Sequence, residues 1–508
     1  MKAFLMHRHH DFDIKQPTPP HTEARIQDLE LNTLFNAMAN GDEFLLAVAK
    51  SAVLCSACDL DTILYRQEIL KDCIAHPDVI RAIYQIPIEA IENKRKRWMS
   101  TLGHIPSTIL SGSVQLMEMY VELLLKLRRL ADLHVASFSS EGFRAFFAMI
   151  QHELDDDYFD VVRAHLKTLK FRDGVLISAE LGRGNEGVNY VLRKPPEKSH
   201  NWLQGLFAAQ PQTYTYTIAD RDENGARALS DLKDRGLNLV ANAVAQSVDH
   251  IDNFLQMLRI ELAFYIGCLN LCDRLTQLDE PICFPEPAPV SAHCLDYTGL
   301  YDICLALTMQ KKVVGNDGAA DGKNLVIITG ANQGGKSTFL RSIGLAQVMM
   351  QCGMFAPAIS FRANVATGVF THYRRKEDAT MKSGKLDEEL SRMSEIVDNL
   401  SPNALVLFNE SFAATNEREG AAIAHQIVSA LIERRIKVFF VTHQFELAQS
   451  FYNQHLETAL FLRPERRDDG ERTFRLVEGS PQPTSHGVDL YNSVFQQDVH
   501  IAQMAAVN

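Results

Sequence analysis

Apolar residues recur at three-to-four spacing through most of the stretch from Leu29 to Leu278, in segments such as VQLMEMYVELLLKLRRLADL and IDNFLQMLRIELAFYIGCLNL. This spacing predicts long helices packed on one another. Between them, FRDGVLISAELGRGNEGVNYVLRK, followed by TYTYTI, reads as short strands with glycine turns, a small β insertion at about 171–218. Four of the ten residues from Pro281 to Val290 are prolines, and the pattern changes after them. Beyond that point strand-length apolar runs alternate with helical patterns: NLVIIT, KSTFLRSIGLAQVMMQ, ALVLF, REGAAIAHQIVSALIERR and KVFFVTH. Such alternation predicts an α/β domain around a largely parallel sheet buried on both faces.

The chain therefore divides into a polar N-terminal tail (1–28), a mostly α-helical region (29–280), a proline-rich linker (281–290) and an α/β P-loop domain (291–508). The N-terminal MKAFLMHRHHDFDIKQPTPP lacks the apolar core of a signal peptide, and polar residues interrupt the most apolar stretches. The expectation is a cytoplasmic protein that does not enter a membrane.

Composition narrows the classes further. In 508 residues, 51 Lys+Arg face 63 Asp+Glu, a net charge of −12, with 46% hydrophobic and 22% charged residues. These values exclude a largely disordered or collagen-like chain. The acidic balance argues against a surface that coats nucleic acid throughout but permits a local basic groove. The nine cysteines form no dense framework. Cys55/Cys58 and Cys268/Cys272 have ligand-like spacing, but they lie in apolar helical stretches with no further ligand close by and read as buried small hydrophobes.

The chemistry is concentrated after the linker. Gly330-Ala331-Asn332-Gln333-Gly334-Gly335-Lys336-Ser337 fits GxxxxGK[ST] at every fixed position, after an apolar strand and before a helix. Its glycines let backbone N–H groups point at phosphate oxygens, Lys336 neutralises the β/γ charge, and Ser337 offers a hydroxyl to Mg²⁺. ATP and Mg²⁺ are thus the expected ligands, with Thr338 completing the triphosphate-binding set. A second glycine pattern, Gly182-Arg183-Gly184-Asn185-Glu186-Gly187, is followed by strand-like VNYVLR, has no helix N-terminus to receive a pyrophosphate, and reads as a β-turn. An NTPase also needs a metal-positioning side chain, a group that orients water and a sensor of the γ-phosphate. LVLF ends in Asn409-Glu410 and VFFVT ends in His443, which makes Asn409 a metal candidate, Glu410 the catalytic base or water-orienting group, and His443 the sensor.

From Asn324 to about Phe495 these elements, in order and spacing, resemble the ATPase domain of the MutS DNA mismatch-repair proteins, part of the ABC ATPase superfamily. The residues that carry the resemblance are TGANQGGKSTFLRSIGLAQVMMQCGMFAPA, VFTHYRRKEDATMKSGK, LVLFNESFAATNEREG, FVTHQFEL and SHGVDL. It implies that Asn332 and Gln333 also face the phosphates. It further implies that Ser383 and Gly384 reach ATP across a homodimer interface. The helical region resembles the family's core and lever domains more loosely, and the β insertion takes the place of the DNA-touching clamp. Arg183, Arg193, Lys194 and Lys198 are accordingly the candidate contacts to double-stranded or branched DNA.

Three departures from the family bear on function. The expected fold lacks an N-terminal mismatch-reading domain, and the Phe-x-Glu element Phe284-Pro285-Glu286 falls in the linker. Asn409 stands where the family has an aspartate, predicting weaker metal retention or slower turnover. Phe412-Ala413-Ala414-Thr415 replaces a glycine- and arginine-containing run. The expected function is a DNA-binding ATPase of repair or recombination that opens and closes a dimeric clamp, alongside other repair proteins. The alternative is an ATP-dependent conformational switch that scaffolds protein partners without DNA.

Overall fold

A computed structural model describes residues 1–55, 59–98, 105–172, 174–194, 214–330, 334–375, 384–466 and 472–482. The chain forms two compact units. One comprises Met1–Ala3, Asp78–Phe138 and Phe143–Arg259, the other Phe4–Pro77, Ser139–Gly142 and Ile260–Asn508.

Four helices, α1 (Thr22–Asp28), α2 (Leu31–Ala39), α3 (Glu43–Leu54) and α4 (Leu60–Ala75), precede the first unit's main elements and belong to the second unit. The first unit is built from α5 (Pro77–Trp98), α6 (Pro106–His134), α7 (Glu141–Glu153), α8 (Asp156–Leu169) and the first part of α9 (Glu223–Gln277). The apolar spacing read in the sequence is what these helices bury, for example Leu116, Tyr120, Leu124 and Leu127 along α6. Phe138, Phe143, Phe146 and Phe147 pack ring against ring beside them. The buried Asp252 gathers polar groups: it accepts from Tyr120 Oη (2.7 Å), Lys94 Nζ (2.8 Å) and Gln256 Nε2 (2.6 Å). At 55 residues α9 is about 80 Å long. It has a window apolar enough to cross a membrane, but 78% of that window is buried inside the protein, as expected of a core helix.

The β insertion is a single hairpin, β1 (Leu176–Leu181) and β2 (Gly187–Arg193), paired antiparallel. The glycine pattern at Gly182–Gly187 is its turn, with Leu181 opposite Gly187. The described part of TYTYTI, 214–218, is not strand, and Tyr214 and Tyr216 are exposed.

The second unit carries two sheets. Strands β3 (Glu286–Ala288), β4 (Leu295–Leu300), β5 (Asn316–Ala319) and β7 (Ser360–Asn364) form a four-stranded sheet in the order β3-β7-β4-β5. The main sheet runs β12 (Arg472–Glu478), β11 (Ala459–Arg466), β6 (Leu325–Ile328), β10 (Lys437–Val441), β9 (Leu405–Asn409), β8 (Val369–Tyr373), parallel except at β12. Around it lie α10 (Ile303–Met309), α11 (Lys336–Gln351), α12 (Lys385–Asn399), α13 (Glu417–Glu433) and α14 (Phe445–Tyr452). Val406, Phe408, Val438 and Phe440 join Val428, Leu431 and Phe451 in the core on one face. Val326, Leu407 and Phe439 are equally buried, which explains why these strands read as unbroken apolar runs.

Two boundaries differ from the sequence expectation. The proline-rich segment at 281–290 supplies β3 to the four-stranded sheet, so Phe284 and Glu286 lie in or beside a structured edge. Proline is tolerated there because an edge strand can leave one donor unused. Residues 1–28 are not a tail: Leu5, Met6 and Phe12 are buried, and Arg66 Nε and Tyr65 Oη donate to the Met6 and Phe4 carbonyls at 2.9 and 2.6 Å. The apolar run AFLM is too short to announce an element by period. Its partners are distant in sequence.

The fully buried Glu261 fastens this segment, accepting the backbone N–H groups of Leu5 (2.5 Å), Met6 (3.3 Å) and Phe12 (3.1 Å). Burial outweighs those bonds and pushes its carboxyl up to about 7. Between the ordinary carboxylate range and pH 7 the folded chain therefore holds a proton that the unfolded chain has released, and stability falls as pH rises. The Glu261→Gln variant lacks this dependence. The difference in denaturant stability between wild type and variant should move against wild type by on the order of 3 kcal/mol from pH 4.5 to above pH 7. A difference constant across that range would refute the assignment.

Candidate functional site

The main sheet lines up the chemistry by register. Tyr373, Asn409, Val441, Ile328 and Leu462 lie level across β8, β9, β10, β6 and β11. The ladder continues one step beyond, since Arg374 N donates to Asn409 O (2.9 Å), Glu410 N to Val441 O (2.9 Å), Thr442 N to Ile328 O (3.1 Å) and Thr329 N to Leu462 O (3.0 Å). The residues just past the strands thus form a row at the carboxyl edge of the sheet, the edge at which open α/β sheets receive ligands.

Gly330 begins the loop after β6 with φ 124°, and a Cβ there would lie 2.6 Å from Pro464 Cδ, so both conformation and space require glycine. The loop ends at Gly335, in the left-handed region, immediately before α11. Lys336 is 5% exposed, and its Nζ donates to Gly330 O at 2.8 Å across the mouth of the loop. Burial lowers its ammonium to about 8, with the Glu410 carboxylate opposing the shift. Ser337 Oγ donates to Asn409 Oδ1 at 2.9 Å, so the two oxygens proposed for a metal are adjacent. Both are hard oxygen donors of the kind Mg²⁺ takes, and the nearby carboxylate is Glu410 rather than residue 409.

Glu410 turns out of β9 with φ 55°, an uncommon conformation for a residue with a side chain. It sets the carboxylate 2.7 Å (Oε1) from His443 Nε2. The His443 hydrogen bond, more than the charges of Lys336 and Arg374, holds the Glu410 carboxyl below its usual range against partial burial. A carboxylate that stays ionised and is fixed by an imidazole can accept a proton from water or align one.

The structure thus brings Gly330, Gly334, Gly335, Lys336, Ser337, Asn409, Glu410 and His443 to one edge, with Thr338 in the first turn of α11. Ala331, Asn332, Gln333, Ser383, Lys198 and the SHGVDL element lie outside the described residues. Gly384 immediately precedes α12. Of the other basic candidates, Arg183 sits exposed in the hairpin turn, Lys194 follows β2, and Arg193 Nε donates to Ser178 Oγ at 2.9 Å across the hairpin.

Beside Ser337, Asn409 and Glu410 opens a cavity of about 540 Å³ whose lining also includes Arg374, Arg375, Lys385 and Arg392. The sequence reading assigned these four no role. The adjacent Arg374-Arg375 pair directly after the VFTHY strand was the available signal. Nearby, His372 is fully buried, and burial pushes it down to about 4. The neutral ring places Nε2 3.0 Å from Glu389 O and Nδ1 2.8 Å from Ser411 Oγ, tying β8 to α12 and to the turn after Glu410.

Residues 58–278 match the MutS2 N-terminal domain, and residues 326–506 match MutS domain V. The chain is 28% identical over 244 residues to MutS protein homolog 4 of Mus musculus, covering 45% of this chain and 26% of that protein. It is 36% identical over 148 residues to the DNA mismatch repair protein MSH3 of Arabidopsis thaliana, covering 28% and 14%. It is 30% identical over 178 residues to the DNA mismatch repair protein MutS of Leptospira interrogans, covering 32% and 21%. The matched regions span about a quarter or less of the length of these relatives.

Proposed function

The chain belongs to the MutS family, and from that premise we propose that it is a DNA-binding ATPase of repair or recombination whose ATP cycle opens and closes a dimeric clamp. The observation that carries the reading is the row of Lys336, Ser337–Asn409 and Glu410–His443 at the carboxyl edge of a parallel sheet. Backbone N–H groups of the glycine loop and Lys336 bind the triphosphate, and Ser337 with Asn409 would hold Mg²⁺. That ion supplies positive charge to the β- and γ-phosphate oxygens. Glu410, oriented by His443, aligns the attacking water and accepts its proton. His443, bonded to Glu410, senses whether the γ-phosphate is in place. Ser383 and Gly384 complete the site of a second copy.

DNA binding is assigned to the hairpin β1–β2. Arg183 at its turn and Lys194 at its end are exposed, as are Leu181, Val188 and Val191 along its strands. Lys and Arg on such a projection contact phosphates without reading sequence. Affinity for branched and linear duplexes should fall with salt, and Arg183→Glu with Lys194→Glu should weaken it about tenfold or more and flatten the salt slope by about one unit per cation lost. Filter binding or anisotropy across a salt series measures this, with and without ATP. Absence of salt-sensitive binding by the wild type would remove DNA from the reading.

A further inference from the structure

We propose that Arg374 is a ligand of the nucleotide's terminal phosphate, so that the site distinguishes a nucleoside triphosphate from a diphosphate through this chain's own guanidinium. The inference rests on the nucleotide reading above and extends it to a residue outside the glycine loop.

Position comes first. Tyr373 is level with Asn409, and the Arg374 N–H is bonded to the Asn409 carbonyl, so the backbone of Arg374 is fixed beside the pair that would hold the metal and orient water. Its side chain lines the same cavity as Ser337, Asn409 and Glu410. Lys336 and Arg374 both act on the Glu410 carboxylate, one from the loop after β6 and one from the end of β8. Lys336 serves the β/γ end of the triphosphate and Glu410 serves the water that attacks it, so a cation beside Glu410 meets the terminal phosphate.

Availability distinguishes Arg374 from its neighbours. Arg375 Nη1 donates to the buried Asp28 carboxylate at 2.6 Å, and Arg392 donates from both Nη atoms to Tyr373 O at 3.2 Å. Those two are committed to holding α1, β8 and α12 together. The exposed Arg374 guanidinium makes no hydrogen bond to a described residue and keeps its planar set of donors for an incoming anion. Guanidinium matches phosphate oxygens in pairs, which gives direction as well as charge. With an uncharged amide at position 409, one fewer fixed negative charge opposes a tetra-anionic ligand at this end.

The test is equilibrium binding of AMPPNP and of ADP to the full chain, in Mg²⁺ and in EDTA, for wild type, Arg374→Gln, Arg374→Lys and Lys336→Ala. Arg374→Gln should lose about tenfold or more in AMPPNP affinity, most clearly in EDTA, with ADP affinity within about twofold of wild type. Arg374→Lys should recover part of the loss, and unchanged thermal melting would exclude misfolding. Equal weakening of both nucleotides, or AMPPNP binding like wild type while Lys336→Ala binds neither, overturns the role of Arg374 and leaves the nucleotide site standing. If the wild type binds neither nucleotide, both readings fall together.

Discussion

Replacing Glu410 by glutamine should lower the rate of ATP hydrolysis by about a hundred- to a thousandfold while leaving ATP affinity within a few-fold of wild type. The side chain keeps its size and one oxygen, so the loop, Lys336 and Ser337 still receive the phosphates. The variant loses a carboxylate that the His443 hydrogen bond holds ionised through the neutral range. An amide cannot take the proton of an attacking water. His443→Ala should also slow turnover, less severely, because Glu410 remains but is no longer oriented at 2.7 Å. The wild-type rate should therefore show no acid limb until pH falls below the ordinary carboxylate range. Steady-state hydrolysis and nucleotide binding on the same preparations separate the two effects, and a Glu410→Gln rate within about threefold of wild type would remove Glu410 from the chemistry.

Gly420→Ala should destabilise the second unit by more than about 2 kcal/mol and reduce ATP turnover with it. On helix propensity alone the substitution would stabilise α13 by roughly 1 kcal/mol. Packing decides otherwise, because a Cβ on Gly420 would lie 2.2 Å from Phe412 O and 2.7 Å from Gln444 Nε2. The first is a backbone atom. It belongs to a residue at φ 60°, fully buried and already bonded to Gln444 Nε2 at 3.2 Å. Relief of the overlap must move either α13 or the turn from Glu410 to Phe412, and that turn aims the Glu410 carboxylate. Denaturant unfolding and hydrolysis measured together should change in the same direction. A variant as stable and as active as wild type would mean that the close approach is not maintained in solution.

The legibility of this molecule in its sequence divides along a physical line. Features set by local period or by a short rigid motif could be read: the strands β6, β9 and β10, the helices α11 and α13, the glycine turn of the hairpin, and the loop around Lys336. Features set by partners far along the chain could not. Leu5 and Met6 gave no periodic signal, because what buries them is Glu261, Arg66 and Tyr65 rather than a repeating face. Pro287 looked like a linker residue because nothing local shows that β7 pairs with it. Arg374 went unassigned for a related reason. Its meaning comes from the strand beside it, since only the pairing of Tyr373 with Asn409 brings it next to Glu410.

That pairing limits how such a chain can drift. Arg374, Glu410 and His443 follow β8, β9 and β10 by one or two residues, and these three strands end level, so this part of the site is a single line drawn across three separate stretches of sequence. Successive residues in a strand face opposite sides. Deleting one residue inside β8, β9 or β10 would therefore turn Arg374, Glu410 or His443 to the wrong face without removing any of them. Loops between these strands can gain or lose residues over evolutionary time. The strands themselves must keep their count.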